Sequence, residues 1–313
     1  MSGMARISKL SDKRFRSGPL VISILFSIVC LTWGTTWLGI KISVETIPPF
    51  TAAGARFLIA FPLFLVFARV MNESVFFPED KKGLFVFITL AYFSLPYYLI
   101  SYGEQYVSSG LTSLVFSSMP VFILLFSFFL LKEPMLKRQV AGITVGFLSL
   151  VMILKAEGIT VSASGLSGVL AILAAAGLHG FCYVLTRKLG SQISVITFNT
   201  LPIGVAGFLL FFTGLLIEAP EWNRVSQSSL LATLYLGLVA SVGGFIVYFY
   251  LLKKMSPVTL SFVFILFPVI AIMMGAVYEN TSLTQSFMLY SATMLAGFAI
   301  TKLPVKKDDK PGE

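Results

Sequence analysis

The stretch Tyr102–Pro120, YGEQYVSSGLTSLVFSSMP, returns as Tyr250–Pro268, YLLKKMSPVTLSFVFILFP, at an offset of 148 residues with no gap. Tyr102 aligns with Tyr250, Ser108 with Ser256, Ser113 with Ser261, Val115 with Val263, Phe116 with Phe264 and Pro120 with Pro268. Each copy joins two long apolar segments. A second pair matches at an offset of 146: Thr32-Trp33-Gly34 through Lys41, and Leu178-His179-Gly180 through Arg187. A chain of 313 residues with similar halves reads as a two-copy architecture.

Charged residues make up 12% of the chain and apolar residues 57%. Soluble domains carry about 25% charge, and so few charges cannot cover a water-facing surface of this size. The chain is therefore expected to be an all-α integral membrane protein whose main solvent is lipid. Its net charge of +9 does not point to nucleic acid, because the charges sit between apolar segments rather than along one face. Cys30 and Cys182 lie inside apolar segments and imply no disulfide framework.

A bilayer crossing needs about 20 mostly apolar residues. Ten such segments are predicted: 19–40, 49–70, 83–103, 107–131, 138–154, 165–187, 194–217, 228–252, 257–278 and 285–303. Short joints with turn or charge signals separate them, such as Pro48-Pro49 and Lys132-Glu133-Pro134. The apolar run after the basic N-terminus is too long for a signal-peptide core and ends at Lys41 without a cleavage site, so it reads as an uncleaved first helix. The expected organisation is a cytoplasmic N-terminal segment 1–18, a first five-helix repeat 19–155, a second five-helix repeat 165–303 and a cytoplasmic tail 304–313.

Positive charge orients such a chain. With the N-terminus inside, only Lys41, Lys155 and Arg224 of the 23 Lys and Arg residues fall outside, and Arg56 lies within the second segment. Five helices per half is an odd number, so the second half must enter the membrane upside down. The charges agree. The loop after segment four carries Lys132, Lys137 and Arg138, while its counterpart after segment nine has no Lys or Arg. Glu104-Gln105-Tyr106 is replaced by Leu252-Lys253-Lys254. Inverted repeats that hold a solute near the midplane are a transporter plan.

Several short motifs follow one another along this frame: Trp33-Gly34-Thr35-Thr36 in the first helix, Arg56-Phe57 in the second, and Pro120 followed thirteen residues later by Glu133 in the fourth. Together with the ten segments they resemble the drug/metabolite transporter superfamily, in its EamA-type branch. The second half departs from the pattern: Thr281 stands where Glu133 stands in the first, with Glu279 two positions earlier, and His179 replaces the first-helix Trp. The resemblance implies a multi-pass exporter of metabolites in the cell inner (plasma) membrane, and the charge distribution places both termini in the cytoplasm.

Polar residues at helical spacing mark the candidate site. The stripes are Trp33, Thr36 and Trp37 in helix one; Ser94, Tyr98, Ser101, Tyr102 and Gln105 in helix three; Ser109, Ser113, Ser117 and Pro120 in helix four; His179, Tyr183 and Thr186 in helix six; and Ser241 and Tyr248 in helix eight. Polar atoms facing lipid are costly, so these stripes should face protein or water. Trp33, Thr36, Trp37, Tyr98, Tyr102, Ser117, His179, Tyr183 and Tyr248 are the expected substrate-binding set, an aromatic and hydroxyl-lined cavity for a small amphipathic solute. The competing reading is that small and hydroxyl residues only pack helices together. His179, the single histidine, lies well inside its helix. An ionisable group at that depth is a functional candidate, with a substrate hydrogen bond, a structural hydrogen bond and proton coupling all open. Pro62, Pro96, Pro120, Pro202 and Pro268 are expected to interrupt five helices. Arg56 is expected to snorkel toward the outer surface, with a substrate carboxylate as the alternative partner.

Gly165-Leu166-Ser167-Gly168 and His179 offer the elements of an intramembrane serine hydrolase. Twelve helical residues separate Ser167 from His179, about 18 Å, too far for a hydrogen bond. No HExxH, GxSxG or P-loop motif occurs in the sequence. The expectation is a secondary active transporter with no cofactor. It would export a small organic metabolite, such as an amino acid or a hydrophobic amphiphile. Its partners are that small molecule and the lipid bilayer, with protons the candidate coupling ion, no nucleic acid, and a monomer or homodimer as the assembly. A carrier of phosphorylated sugars or a non-transporting scaffold are the less favoured alternatives.

Overall fold

The computed structural model describes residues 18–156, 162–190, 192–252, 254–255, 260 and 263–301. The expectations for the N-terminal segment, the tail 304–313, Ser256, Ser261 and most of the joint between the halves lie outside the described residues.

Among the described residues every regular element is helical. In chain order these are α1 (Pro19–Val44), α2 (Pro49–Met71), α3 (Glu79–Glu104), α4 (Ser109–Leu131), α5 (Lys137–Ala156), α6 (Ala163–Leu189) and α7 (Val195–Ile217). Next comes α8, running from Gln227–Tyr235 through Leu236–Gly243 to Gly244–Leu252. α9 (Val263–Tyr278) and α10 (Gln285–Thr301) complete the series. The eight elements α1 to α8 contain stretches long and apolar enough to cross a bilayer. α9 and α10 are shorter, at 16 and 17 residues. This is the all-helical membrane architecture the composition calls for, since in lipid each segment must satisfy its own backbone.

Local sequence sets the boundaries. α1 and α2 begin with a proline, whose missing N–H costs nothing in a first turn. Ser108, Ser162, Ser194 and Ser226 cap α4, α6, α7 and α8, each hydroxyl accepting from a backbone N–H three residues on. The Gly-Leu-Ser-Gly stretch is accordingly a helix start. Pro62, Pro202 and Pro268 lie inside helices as expected. Pro96 and Pro120 do not interrupt one. α4 breaks at Ser117-Ser118 and restarts at Met119, and Pro120 occupies the restart, where no hydrogen bond is lost. Pro96 likewise opens the last piece of α3, directly after a π-helical stretch, Thr89–Ser94.

Irregularities recur at matching places in the two halves. The π-helical stretch of α3 has a counterpart in α8, Leu236–Gly243. Among the described residues, the four non-glycine positions with positive φ fall into two pairs: Asn72 and Ala219, which follow α2 and α7, and Lys132 and Asn280, which follow α4 and α9. Packing shows the same pattern. α2 lies along α7, α5 along α10 and α4 against α9; α1 packs on α8 and α9 as α6 packs on α3 and α4. Small residues permit the closest approaches. A Cβ on Gly146 would lie 2.6 Å from Phe298 Cδ1, so the Phe298 ring of α10 packs directly on the backbone of α5 there.

One pair of contacts breaks the pattern. α1 packs against α3 and α4, but among the described residues α6 makes no comparable packing against α8 or α9. The face where α1 ends and α2 begins is correspondingly tied shut. Lys41 Nζ donates to the carbonyls of Glu104 and Val107 at 2.6 and 3.0 Å. Glu218 accepts from the N–H groups of Phe50 and Thr51 at the start of α2. Glu279 accepts from Ser109 N–H and Oγ at the start of α4. Ser43 and Thr233 join α1 to α8 at 2.7 Å. At the opposite face the described polar ties between α4 and α6 are exposed: Arg187 to Glu133 at 2.8 Å and Lys188 Nζ to the Leu130 carbonyl.

Candidate functional site

Aromatic rings converge where the two halves meet. Trp33, half-buried at the middle of α1, has Tyr248 of α8 at 4.8 Å between centroids, Phe264 of α9 at 5.9 Å and Phe245 at 6.1 Å. Gly244 faces it, and a Cβ there would press on Trp33 Nε1 at 2.7 Å. One turn on, Trp37 is buried between Phe116 of α4 at 5.0 Å and Phe267 of α9 at 5.8 Å. Phe116 continues the series to His179 at 5.4 Å. His179 is surrounded edge-on by Tyr92 at 4.6 Å and Tyr97 at 5.7 Å. A continuous chain of rings thus runs from Trp37 through Phe116 and His179 to Tyr97.

His179 is 5% exposed, and its Nδ1 is buried without a hydrogen-bond partner. The carbonyls of Tyr92 and Ala175 border the ring. Tyr92 sits in the π-helical stretch of α3, where wider turns loosen the usual carbonyl ladder. A buried ring nitrogen left over in this way is a polar group for which a solute hydrogen bond would be favourable.

The other expected residues divide. Tyr248 belongs to the cluster through Trp33. Tyr183 is 56% exposed, not enclosed, although its phenol lies close enough to Tyr248 to interact electrostatically. Tyr98 and Tyr102 stand apart in a separate ladder near the tied face: Tyr98 stacks on Phe50 at 3.8 Å, and Tyr102 meets Tyr98 at 6.2 Å and Tyr106 at 5.0 Å. Tyr102 also shares a hydrogen bond with Ser167 of α6 at 3.3 Å. Thr36 and Ser117 spend their hydroxyl protons on their own helices, on the carbonyls of Thr32 at 2.7 Å and Ser113 at 2.8 Å. Such back-bonding is what the packing reading of hydroxyl stripes anticipates.

Arg56 corrects the sequence reading. It does not snorkel; it is 6% exposed. Its Nε donates to Ser241 Oγ at 3.0 Å, and the guanidinium carbon lies 5.1 Å from the Tyr97 ring centroid. Among the described residues it forms no ion pair. The cover comes from α8, a helix that distance along α2 could not reveal.

The EamA-like transporter family matches residues 20–155 and 166–303. "Protein PagO" of Salmonella typhimurium strain LT2 is 39% identical over 280 residues, covering 90% of this chain and 92% of that protein. A protein of the same strain called "Probable amino-acid metabolite efflux pump" is 25% identical, covering 87% of this chain and 92% of that protein. "Uncharacterized inner membrane transporter YedA" of Escherichia coli strain K12 is 28% identical, covering 87% of each.

Proposed function

The chain belongs to the EamA-like transporter family and is a multi-pass inner-membrane transporter rather than an enzyme, and from that premise we propose that it is a secondary carrier exporting a small organic metabolite. α9 and α10 also cross the membrane in this reading, giving ten spans in two oppositely oriented five-helix halves. The two repeats correspond to 19–155 and 165–303. The matched π-helical stretches, the paired positive-φ residues and the two-fold pattern of helix packing support the repeat. Both termini are cytoplasmic, as the Lys and Arg distribution favours.

The observation that carries the reading is the ring cluster at the junction of the halves. Trp33 on α1 and His179 on α6 occupy equivalent helices and reach one aromatic interior. Trp33, His179 and Tyr248 touch the solute, Trp37 backs them as a wall, and Tyr183 borders the entrance. Thr36, Ser117, Tyr98 and Tyr102 serve packing. Such a site suits an amino acid or a hydrophobic amphiphile: flat apolar surface for the body, and few polar groups to fix one end. The name of the efflux-pump relative supports the amino-acid side of this choice.

The described state is closed outward. In this orientation the packing of α1 on α3 and α4 lies at the outer face, and among the described residues α6 makes no comparable packing on α8 or α9. Exchanging these two contacts between the halves is alternating access in an inverted repeat. The chain acts as a monomer or homodimer, with protons as the candidate coupling ion.

A resistance screen in overexpressing cells identifies the solute, and counterflow in proteoliposomes tests the site. Trp33→Ala is expected to reduce flux roughly tenfold or more, the loss of about 1.4 kcal/mol of solute contact, at an unchanged amount of membrane-inserted protein. Thr36→Val should transport as the parent does. Equal flux in the parent and in Trp33→Ala would reassign Trp33 to packing.

A further inference from the structure

We propose that the guanidinium of Arg56 docks a carboxylate of the transported solute. This rests on the carrier reading and narrows it to organic acids and amino acids that present a free carboxylate.

Charge burial motivates it. A cation inside a membrane protein is expensive and is kept where it is paired or where it works. Arg56 lies within α2, 6% exposed, and forms one hydrogen bond among the described residues, from Nε to Ser241 Oγ at 3.0 Å. A guanidinium has five N–H donors in a planar fork. The face of Tyr97 offers a cation–π contact at 5.1 Å but accepts no strong hydrogen bond. Carboxylates at the helix ends are engaged elsewhere: Glu218 at the start of α2, Glu279 at the start of α4, and Glu45 with Tyr278 Oη at 3.2 Å. Glu104 is fully buried, and neither of its oxygens bonds to Arg56 or to any described group. The protein thus supplies the cation and withholds the anion.

The surroundings suit a carboxylate head. Arg56, Tyr97, Ser43 and Ser101 line one small cavity together with apolar residues of α1, α2 and α8. Its volume is about 10 Å³, room for a single water and too little for a solute. In the outward-closed state the head site is therefore contracted. It draws on α1, α2 and α3 of the first half and α8 of the second, so a relative movement of the halves changes its size. A carboxylate fits the guanidinium by two parallel hydrogen bonds, stronger than the single neutral bond to Ser241. From this point Tyr97 leads directly to His179, 5.7 Å away, and so into the aromatic interior that would take the solute's body.

The competing assignment is a structural cation satisfied by Ser241 and Tyr97. Matched probes separate the two: 3-phenylpropionate, phenethylamine and 3-phenylpropanol share one body and differ only in the head. Their binding is measured by thermal stabilisation of the purified full-length protein in detergent, which needs no flux. Stabilisation by 3-phenylpropionate alone is expected. Arg56→Gln should weaken it roughly tenfold to a hundredfold, since a bond to a charged group contributes about 1.5–3 kcal/mol. Arg56→Lys keeps the charge but not the fork and should weaken it less. If Arg56→Gln does not fold, the head-group selectivity of the parent and the weakening in Arg56→Lys decide. Equal stabilisation by the amine or the alcohol, stabilisation by none of the three, or unchanged carboxylate affinity in both variants would overturn the proposal. Selective binding without counterflow of 3-phenylpropionate in sealed vesicles would leave the site standing and sink the carrier reading instead.

Discussion

Gly54→Val abolishes recovery of folded protein: a monodisperse size-exclusion peak in detergent is expected for the parent and not for the variant. Gly54 lies where α2 crosses α7. A Cβ at this position would overlap the backbone of Phe211, whose Cα would be 2.6 Å away and whose Cβ 2.8 Å. Backbone cannot rotate out of the way as a side-chain tip can. The two helices would have to separate, and this pair is the most extensively packed among the described residues. Overpacking a core costs about 1–3 kcal/mol where side chains yield, and more is expected here. Gly83→Ala is the control. Nothing lies within 4 Å of its added Cβ, so the variant should be recovered as the parent is. Normal recovery of Gly54→Val would mean that α2 and α7 do not meet in this way.

Glu218→Ala should lower the apparent melting temperature in detergent by the largest margin of any single carboxylate removed from a loop. Its two oxygens accept from Phe50 N–H at 2.8 Å, Thr51 N–H at 2.9 Å and Thr51 Oγ1 at 2.8 Å. It therefore ties the end of α7 to the start of α2, where the helix dipole also favours a negative charge. Losing three such bonds leaves two backbone donors without an acceptor and costs roughly 3 kcal/mol. Glu218→Gln keeps a single acceptor oxygen and should fall between. Glu79→Ala removes an equally acidic group that pairs with Lys82 in the open, the Glu79 side chain being 87% exposed. Exposed pairs of this kind contribute little, so its melting temperature should not change. Equal melting of Glu218→Ala and Glu79→Ala would refute the cap.

What the sequence could reveal depended on how far each signal reaches. Segment length and the short motifs are written along the chain, so the all-helical membrane architecture and the family were legible. Arg56 was not. Its position seven residues into α2 suggested a reach to the surface, but Ser241, 185 positions later, covers it. Glu218 was not legible either, since nothing in Glu218-Ala219-Pro220 shows that its carboxylate caps another helix. The π-helical stretches left no signature, because Thr89–Ser94 and Leu236–Gly243 share no residue pattern. Among the stripes, rings and hydroxyls looked alike in spacing. The structure separates them by partner: Trp33 and His179 meet other helices, while Thr36 and Ser117 bond to their own.

The most direct measurement is the sidedness of equivalent positions in the two halves. Glu73 and Glu221 follow α2 and α7; Pro134 and Ser282 follow α4 and α9. All four are exposed, and the native Cys30 and Cys182 are buried. Each is replaced singly by cysteine and treated with a membrane-impermeant maleimide in intact cells and after permeabilisation. Glu221→Cys and Ser282→Cys should react in intact cells, and Glu73→Cys and Pro134→Cys only after permeabilisation. Reaction of both members of either pair from the same side would contradict two oppositely oriented halves, and with them the alternating-access carrier built on that inversion.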